Sequence, residues 1–522
     1  MTSLADDMFR LILDDSPIMA SVIGIPGYED RMRDWSEEGD QALRARAADI
    51  VDRAAADTEE DPVTRAVIVD QAHSLIATID SRIVEHVVAE GFFGPVGSLF
   101  TMLPLIDAAP RLPKIPEYLR QVADRLRTED RYPLSRHVAT AVAHVERYLA
   151  SPVAKWEESN SELVRAAFAE YRDVLRDEIA PHGRPDDEAG LCWLPDGERN
   201  YARLVERYTT TKHTPEQLHQ IGLDLIAKLR EEYVEIGSKV FGLDTVEEVF
   251  EKLRTDTSLR WPDEQSMIDA ARLSITRAEE AAPQWFGRVP STRCQVEFVP
   301  EAEQDIAPLA YYVDPAPDGS RPGTYFLNPK GATERHRSLS DAIAFHEAVP
   351  GHHFQIELSK ELDLPDIRKY AFIDAYLEGW ALYTERLADE MGLYTDDLAR
   401  IGMLTQDAMR AGRLVVDTGI HAFGWSRQRA IDFLLENTVM SPVEVEAEID
   451  RYIEVPGQAL AYMVGRLEIQ RLRDQASATM GDRFDIREFH DLVIGGGPLP
   501  LAVLADVVTA WSSPAPSSSS ST

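Results

Sequence analysis

The sequence predicts a mainly α-helical protein with a small β-sheet beside one histidine-rich helix. Long stretches before Pro283 and after Ser338 have the composition and apolar spacing of helices, and short proline and glycine clusters separate them. Alternation typical of β-strands is confined to short segments between these two residues. Three of the 13 histidines lie within eight residues, in what otherwise has the composition of an apolar helix. These observations indicate a helical body with a metal site in one helix.

Helical segments account for most of the chain before Pro283. The first ones are rich in alanine, arginine and acidic residues, and they cover residues 40–56, 63–90 and 115–177. A glycine and proline cluster at residues 91–95 predicts a loop rather than the end of a domain.

Two further helix starts are marked by capping residues. Thr214 precedes Pro215 at the first helical position, and Gln217 lies where its side chain can bond back to the capping residue. Residues 244–247 repeat this pattern. We therefore expect a helix to begin at each of these sites.

Two short strands are predicted between the helical regions. Residues 294–299 alternate in polarity, residues 324–328 are rich in strand-forming side chains, and residues 314–319 have the composition of a turn. An extended peptide could add to an edge of this small sheet, with Tyr325 and Asn328 as substrate-binding residues. A purely structural hairpin explains the same pattern equally well.

Helices resume at residues 338–341, which have the composition of a cap before the histidine-rich segment. Residues 512–522 form a low-complexity serine and proline tail, which predicts disorder. We expect residues 1–196 to form an N-terminal helical lobe and residues 197–511 to form the lobe with the metal site. Later helices are predicted at residues 406–423, 426–435, 444–453 and 487–494.

The histidine-rich segment contains His346 and Glu347, the first two residues of the zinc-peptidase motif His-Glu-x-x-His. In that motif the histidines are four positions apart, so both imidazoles lie on one side of a helix. Here Pro350 occupies the fourth position, and the next histidines follow at the sixth and seventh. In a regular helix neither spacing brings two imidazoles to one cation, because zinc–nitrogen bonds are only about 2 Å long.

Pro350 and Gly351 supply the necessary distortion. Proline removes a backbone hydrogen bond from a helix, and glycine adopts unusual dihedral angles. We therefore expect a bulged or broken helix between His346 and the second histidine ligand. His352 is favoured as that ligand, because a glycine also precedes the second ligand in other expanded zinc-peptidase motifs. His353 is the alternative, and otherwise it would form hydrogen bonds around the ligands.

Glu378 is the candidate third ligand. Leu364 and Pro365 break the chain after the histidine-rich segment, so a second helix can return across the first. Helical spacing places Asp374, Glu378 and Glu385 on one face of this second helix. We expect Glu378 to bind the cation and Asp374 to support it as a neighbouring carboxylate.

Several motifs resemble those of a bacterial family of unknown function, numbered DUF885. They lie at residues 346–355, 378–383, 416–421, 424–426 and 456–462. This family is similar to all-helical zincin-type metallopeptidases whose third zinc ligand is a glutamate. The resemblance covers most of the chain after Gly197, and it implies a zincin-like metallopeptidase. From the ligand residues we expect one bound Zn²⁺ ion, and from the combined base, ligands and oxyanion donors we expect small peptides as substrates.

The predicted chemistry is metal-assisted hydrolysis. Two imidazoles and one carboxylate leave a position of a divalent cation open for water, whose pKa then falls to about 7. Glu347 is the candidate general base, because it adjoins a ligand and can pass the proton to the leaving amine. The resemblance implies that a C-terminal tyrosine and histidine stabilise the oxyanion, which indicates Tyr462 and His421, with Tyr452 as a weaker choice.

Arg413 and Arg466 are candidate substrate-binding residues, because a guanidinium can pair with a substrate carboxylate through two hydrogen bonds. This role would suit a carboxypeptidase. An arginine in such a helix more often forms a structural ion pair, so both interpretations stay open.

Composition argues against several classes of function. The formal charge is 54 − 90 = −36 and no segment is dense in lysine and arginine, so a nucleic-acid partner is not expected. Cys192 and Cys294, the two cysteines, support neither a disulfide framework nor a thiolate zinc site. The start of the chain is acidic, and no run of about 18 apolar residues occurs, which favours a cytoplasmic protein without a membrane partner.

Three functions fit these observations. The first is a zinc peptidase, either a carboxypeptidase or an oligopeptidase, that cleaves small peptides. The second is a non-catalytic helical binding protein whose metal site is structural and closed by His353 as a fourth ligand. The third is a metal-dependent hydrolase of non-peptide amides or esters. The sequence predicts no particular oligomeric state.

Overall fold

The fold is mainly α-helical, as the sequence predicts. A computed structural model describes residues 3–89, 94–301, 304, 307–315 and 321–513. Within these ranges there are 22 α-helices and one three-stranded sheet. None of the described helices is long and apolar enough to cross a membrane.

The N-terminal helices confirm the helical segments predicted there, with different limits. The segment predicted at residues 63–90 ends as a helix at Asp80, and the one predicted at residues 115–177 is divided into three helices. Of the predicted loop at residues 91–95, residues 91–93 lie outside the described part of the chain. The helices of this region are α1 (Leu4–Asp15), α2 (Pro17–Val22), α3 (Glu37–Ala56), α4 (Pro62–Asp80), α5 (Gly97–Thr101), α6 (Ile115–Leu126), α7 (Ser135–Ala150), α8 (Ser161–Val174) and α9 (Gly197–Thr209).

The two capped helix starts are confirmed. The Thr214 hydroxyl accepts a hydrogen bond from the Gln217 N–H at 3.3 Å, and the Gln217 side chain accepts one from the Thr214 N–H at 2.9 Å. The Thr245 hydroxyl accepts a hydrogen bond from the Glu248 N–H in the same way. These caps begin α10 (Pro215–Phe241) and α11 (Val246–Thr255), which are followed by α12 (Glu264–Trp285).

The sheet contains both predicted strands and one further strand. The strands are β1 (Gln295–Phe298), β2 (Ala310–Val313) and β3 (Thr324–Leu327), and their order is β1-β3-β2. The predicted hairpin needs correction, because β1 and β3 pair in parallel and only β2 and β3 pair antiparallel. No sequence pattern indicated β2, since Ala-Tyr-Tyr-Val lacks polar alternation. Only residues 314 and 315 of the predicted turn are described.

Central β3 is bonded on both sides, so its backbone offers no free edge to a peptide. An added strand could pair only with β1 or β2. The side chain of Asn328 also has a structural role, because its amide nitrogen donates to the carbonyls of Gln304 and Ala307 at 2.9 and 3.1 Å. This correction removes Asn328 from the substrate-binding residues.

The C-terminal helices include those predicted by the sequence. The helix predicted from residue 406 begins at Asp397, because Asp396 caps it by accepting a hydrogen bond from the Ala399 N–H. Residues from 514 onward, in the predicted disordered tail, lie outside the described part of the chain. The helices are α13 (Leu339–Glu347), α14 (His352–Glu361), α15 (Asp366–Tyr370), α16 (Asp374–Glu390), α17 (Asp397–His421), α18 (Arg427–Asn437), α19 (Pro442–Glu454), α20 (Ala461–Met480), α21 (Ile486–Ile494) and α22 (Leu501–Ser512).

The predicted cap at the start of α13 is wrong. Ser338 already has helical dihedral angles, and its side chain makes no capping hydrogen bond. Asp341 instead accepts hydrogen bonds from the side chains of Arg277 and Thr395 at 2.9 and 2.7 Å. The Asp341 side chain therefore bonds to distant parts of the chain and takes no part in a local cap.

Helices α16 and α20 lie unusually close together. A Cβ atom on Gly465 would lie 1.8 Å from the carbonyl oxygen of Ala375, and one on Gly379 would lie 2.4 Å from the Gly465 Cα. The two backbones touch at these glycines because neither residue has a side chain. This contact places Glu378, next to Gly379, beside α20.

One hydrophobic cluster draws residues from both predicted lobes. Leu11 and Val67 of the N-terminal region belong to the same buried cluster as Phe345 and Trp380. A separate cluster includes buried residues of α5 to α8. The boundary at residue 196 stays a prediction, and the buried contacts cross it.

Candidate metal centre

The histidine-rich segment is two helices joined by a sharp break. Helix α13 ends at Glu347 and α14 begins at His352, as the motif predicts. Between them, Ala348 has φ −114° and ψ −96°, and Gly351 has φ −80° and ψ −130°. The Val349–Pro350 peptide bond is cis. His346 is thus in the last turn of one helix and His352 in the first turn of the next.

Gly351 is required by a close approach of two backbone segments. A Cβ atom at this position would lie 1.9 Å from the carbonyl oxygen of His346 and 2.4 Å from that of Phe345. The break is also tied to α16, since the buried Trp380 indole donates a hydrogen bond to the Pro350 carbonyl at 2.9 Å. These contacts fix the histidines relative to the helix that carries Glu378.

His346, His352 and Glu378 come together as the sequence predicts. One potential ligand atom from each lies within 4.8 Å of the others. The Oε2 atom of Glu378 is 3.5 Å from His346 Nε2 and 3.4 Å from His352 Nε2. In a tetrahedral zinc site with bonds near 2 Å, ligand atoms are about 3.3 Å apart. The three side chains therefore have the spacing of a zinc-binding set.

The Oε2 atom of Glu378 is buried and has no hydrogen-bond partner among the described residues. Burying an unpaired carboxylate oxygen is unfavourable, and a cation between the three side chains would compensate it. Burial raises the pKa of Glu378, but His352 and His346 outweigh it and hold that pKa well below its usual range. The residues present thus fit a divalent cation, and their nitrogen and oxygen donors suit Zn²⁺.

Glu385 orients His346. Its Oε1 atom is 2.8 Å from His346 Nδ1, and both side chains are buried. When Nδ1–H donates to the carboxylate, the lone pair of Nε2 points to the site, as in carboxylate–histidine–zinc arrangements. Burial lowers the pKa of His346, but the neighbouring carboxylates of Glu378 and Glu385 outweigh this and raise it to about 9. Helical spacing predicted that Glu385 lies on the same helix face as Glu378, but it did not predict the contact with His346. The seven-residue spacing from Glu378 was the sequence feature that could have indicated this contact.

His353 does not join the cluster. Its Nε2 atom is 3.2 Å from the carbonyl oxygen of Thr292, and its Nδ1 atom is 3.1 Å from the hydroxyl of Tyr312 in β2. Both ring nitrogens are used in these contacts with the sheet region. The second histidine of the cluster is therefore His352, and the hydrogen bonds of His353 are not directed to the ligand set.

Asp374 lies one helical turn before Glu378 and is buried. Its Oδ1 atom accepts a hydrogen bond from Gln458 at 3.4 Å, and the structure gives it no hydrogen bond to the three clustered residues. Burial raises its pKa to about 6 against the opposing effect of Arg207. The predicted support of the ligands by Asp374 is thus indirect, through its place on the same helix.

Glu347 and Tyr462 both lie within the electrostatic reach of clustered residues, Glu347 of His346 and Tyr462 of Glu378. Glu347 is the partly exposed last residue of α13, directly after His346. Burial, with the nearby charge of Glu347, raises the pKa of Tyr325 well above its usual value, so Tyr325 lies within the electrostatic reach of that carboxylate. Burial and the charge of Glu378 raise the pKa of Tyr462 to about 12. Tyr462 therefore keeps its proton at neutral pH beside a candidate ligand.

Comparison with known proteins gives a family. Residues 17–508 match the family described as "Bacterial protein of unknown function (DUF885)". This chain belongs to that family. The resemblance drawn from motifs covered the chain after Gly197. The family match also covers the N-terminal region from residue 17.

Two solved structures resemble this DUF885 protein over nearly its full length. One, described as a "putative lipoprotein" from Colwellia psychrerythraea, has a TM-score of 0.89 and 27% identity, with 98% of each chain covered. Another, a "putative lipoprotein of unknown function" from Shewanella oneidensis, has a TM-score of 0.74 and 17% identity, with 98% of this chain and 100% of that chain covered. The second likeness shows the fold alone. No curated protein matched the chain.

His421 and Tyr452, predicted to act on an oxyanion, have structural partners instead. His421 Nδ1 accepts a hydrogen bond from the Leu191 N–H, and Nε2 donates to the Tyr452 carbonyl at 3.0 Å. Burial lowers the pKa of His421 to about 3, so the ring is neutral. The Tyr452 hydroxyl accepts from Arg413 at 2.7 Å and donates to Glu448. Neither side chain has a free proton for a substrate, which leaves Tyr462 as the candidate donor.

The two predicted substrate arginines have different surroundings. Arg466 donates to Asp407 at 3.1 Å and lines a separate cavity of about 320 Å³ with Arg386. The guanidinium of Arg413 lies over the ring of Tyr462, with Cζ 4.5 Å from the ring centroid. Of the two, the structure brings only Arg413 next to Tyr462.

Proposed function

We propose that this DUF885 protein is a zinc-dependent peptidase that hydrolyses small peptides at the His346, His352 and Glu378 centre. The observation that carries the proposal is the unpaired Glu378 Oε2 atom, 3.4 and 3.5 Å from two imidazole nitrogens. A bound Zn²⁺ ion would supply an electrophile that polarises the scissile carbonyl and acidifies a water molecule.

Each nearby side chain has a defined task in this proposal. Glu347 adjoins a ligand and is partly exposed, so its carboxylate can take a proton from water and deliver it to the leaving amine. Tyr462 keeps its proton, so its hydroxyl can donate a hydrogen bond to the oxyanion that forms on the substrate. With a cation bound, Glu385 would hold His346 in the tautomer that leaves Nε2 unprotonated.

The ligand set has three members, which favours catalysis over a closed structural site. A structural zinc site usually has four protein ligands, whereas a catalytic one has three and an open position. His353, the predicted fourth ligand, bonds to Thr292 and Tyr312 instead. The side chains of His352 and Glu378 are 14% and 17% exposed, so the cluster is not fully enclosed by the protein.

The test is zinc content and hydrolysis in four proteins. We expect about one zinc per chain in the wild type, loss of zinc in His352→Ala and retention in the matched control His353→Ala. Glu347→Gln should keep zinc and hydrolyse a peptide library about 10² to 10⁴ times more slowly, because only the general base is removed.

Elemental mass spectrometry and peptide-cleavage assays give these values. A wild type that binds no zinc when zinc is supplied would refute the metal centre. Normal hydrolysis by zinc-loaded Glu347→Gln would refute the mechanism, and cleavage restricted to esters or non-peptide amides would refute the substrate class.

A further inference from the structure

Three arginines lie against the rings of Tyr462, which is close to Glu378, and Tyr452. Arg413 and Arg410 lie over the ring of Tyr462, with Cζ atoms 4.5 and 5.8 Å from its centroid. Arg451 lies over the ring of Tyr452 at 4.8 Å. In a chain with a formal charge of −36, this is a local concentration of positive charge.

The carboxylate bonded to this group in the described part of the chain is that of Glu448. It accepts hydrogen bonds from Arg413 Nη2 at 2.8 Å and from Arg451 Nη2 at 3.1 Å. Arg410 donates to the neutral side chain of Gln406. Arg413 and Arg451 thus share one hydrogen-bonded carboxylate, and Arg410 lies within the electrostatic reach of Asp407 without a hydrogen bond to it among the described residues.

Two guanidinium nitrogens of the group are buried without an acceptor in the described residues. They are Nη1 of Arg413 and Nε of Arg410, and these side chains belong to residues only 5% and 8% exposed. A buried N–H without a partner is unfavourable, whereas a carboxylate can accept from a guanidinium through charge-assisted hydrogen bonds. The unpaired nitrogens therefore indicate an anionic ligand.

Hydrogen bonds extend from the arginine group to Asp374, on the helix that carries Glu378. Arg451 donates to the side-chain Oε1 atom of Gln458 at 2.9 Å, and the Gln458 side-chain amide donates to Asp374, one turn before Glu378, at 3.4 Å. Tyr462 lies one turn before Gly465, where α20 touches α16. An anion at Arg413 would thus lie near Tyr462, whose hydroxyl is proposed to stabilise the oxyanion.

We infer that Arg413 and Arg410 form a subsite for a substrate carboxylate, so that the enzyme cleaves peptides close to a free C-terminus. The inference rests on the proposed peptidase function. An acidic side chain of the substrate carries the same carboxylate chemistry, and the experiment separates the two sources. Arg466 is excluded from the subsite because Asp407 already pairs with it.

The experiment compares three matched peptides with the zinc-loaded protein: one with a free C-terminus, its C-terminal amide, and an amide whose last residue is glutamate. We expect kcat/KM about 100-fold higher for the free acid than for the plain amide, since removing one partner of a buried charge pair is costly. Arg413→Gln should abolish this preference mainly through KM, and Arg410→Gln should reduce it about tenfold. Arg471→Gln, an exposed arginine on α20, is the control and should preserve it.

Arg410→Gln keeps the test valid if Arg413→Gln fails to fold, because Arg410 bonds only to Gln406 among the described side chains. Equal cleavage of acid and amide by the wild type would overturn the subsite while leaving the peptidase intact. A preference that survives in Arg413→Gln and Arg410→Gln would also overturn it, as both arginines would then be structural only. Arginine-dependent cleavage of the glutamate amide would support the subsite and assign it to a side-chain carboxylate.

Calorimetric binding of the same peptides to zinc-loaded Glu347→Gln separates the two proposals. If no peptide is hydrolysed by the wild type, but the free acid binds more tightly and only when Arg413 is present, the subsite stands and the peptidase does not. If neither hydrolysis nor an acid preference is seen, both proposals are wrong.

Discussion

Gly351 is the residue that most directly fixes the two histidines. Its Cα faces the carbonyl oxygens of Phe345 and His346, so α14 can start directly against the end of α13. A side chain at this position would collide with backbone atoms, which cannot rotate away as the end of a side chain can.

Gly351→Ala should lower the free energy of unfolding by about 1–3 kcal/mol and reduce the zinc content, because the added Cβ moves His352 away from His346. Denaturant titration and elemental analysis measure the two effects. Gly496→Ala is the control, since a Cβ there would meet its nearest atoms at 3.4 and 3.6 Å. Equal stability and zinc content in both variants would contradict the role given to Gly351.

For individual residues, the sequence predicts the members of the cluster better than their hydrogen-bond partners. His346, Glu378 and the helix break follow from residue order and local backbone preference, because these are properties of adjacent residues. The orientation of His353 toward Thr292 and the pairing of His421 with Leu191 depend on elements distant in the chain. No local pattern encodes those contacts.

At the element scale, the contact between α16 and α20 sets the position of Glu378 relative to Tyr462. Gly465→Ala should lower the free energy of unfolding by about 2–3 kcal/mol and weaken zinc binding, because its Cβ would lie 1.8 Å from the Ala375 carbonyl. Gly412→Ala in α17 is a matched helical control, since its Cβ would meet only a flexible methyl of Leu434. Thermal unfolding and zinc titration of both variants measure these effects. A larger loss of stability or zinc affinity in Gly412→Ala would show that the α16–α20 contact does not determine the geometry of the cluster.

The elements themselves differ in how well the sequence encodes them. Helices with a capping residue and clear apolar spacing, such as α10, begin where predicted because the signals are local. Strand β2 has four residues and no polar alternation, so only its pairing with β3 defines it. The parallel pairing of β1 with β3 likewise depends on how the chain returns between them.

At the scale of the whole molecule, His137 connects α7 in the N-terminal region to α19. Its Nδ1 and Nε2 atoms are 2.7 Å from Glu454 and 3.3 Å from Asp450. Burial lowers the pKa of His137, but hydrogen bonds with Asp450 and Glu454 outweigh this and raise it to about 9. The protonated imidazole therefore pairs with two carboxylates across these helices.

This raised pKa makes stability depend on pH. Because the folded pKa exceeds the ordinary value near 6.5, the stabilisation is fully present below about pH 6.5 and is lost as pH rises through 9. The loss should be roughly 3 kcal/mol and should be absent in His137→Gln. Denaturant titrations at pH 6 and 9.5 measure it, with exposed His213→Gln as the control. An unchanged pH dependence in His137→Gln would contradict this assignment.

The packing of the helices against one another was the feature least predictable from the sequence. The mainly helical class follows from composition and periodicity, whereas the buried cluster that unites Val67 with Trp380 arises only in three dimensions. Location in the cell and the division into lobes at residue 196 stay predictions.

The break between α13 and α14 also changes what the distance between the two histidines means. In a continuous helix, one inserted residue between two ligands would rotate the second by about 100° and destroy the site. Here residues 348–351 form a connection, so the spacing of His346 and His352 is a loop length rather than a multiple of helical pitch. A sequence pattern for centres of this kind should describe two helix ends and a downstream glutamate, with the number of residues between the ends left variable.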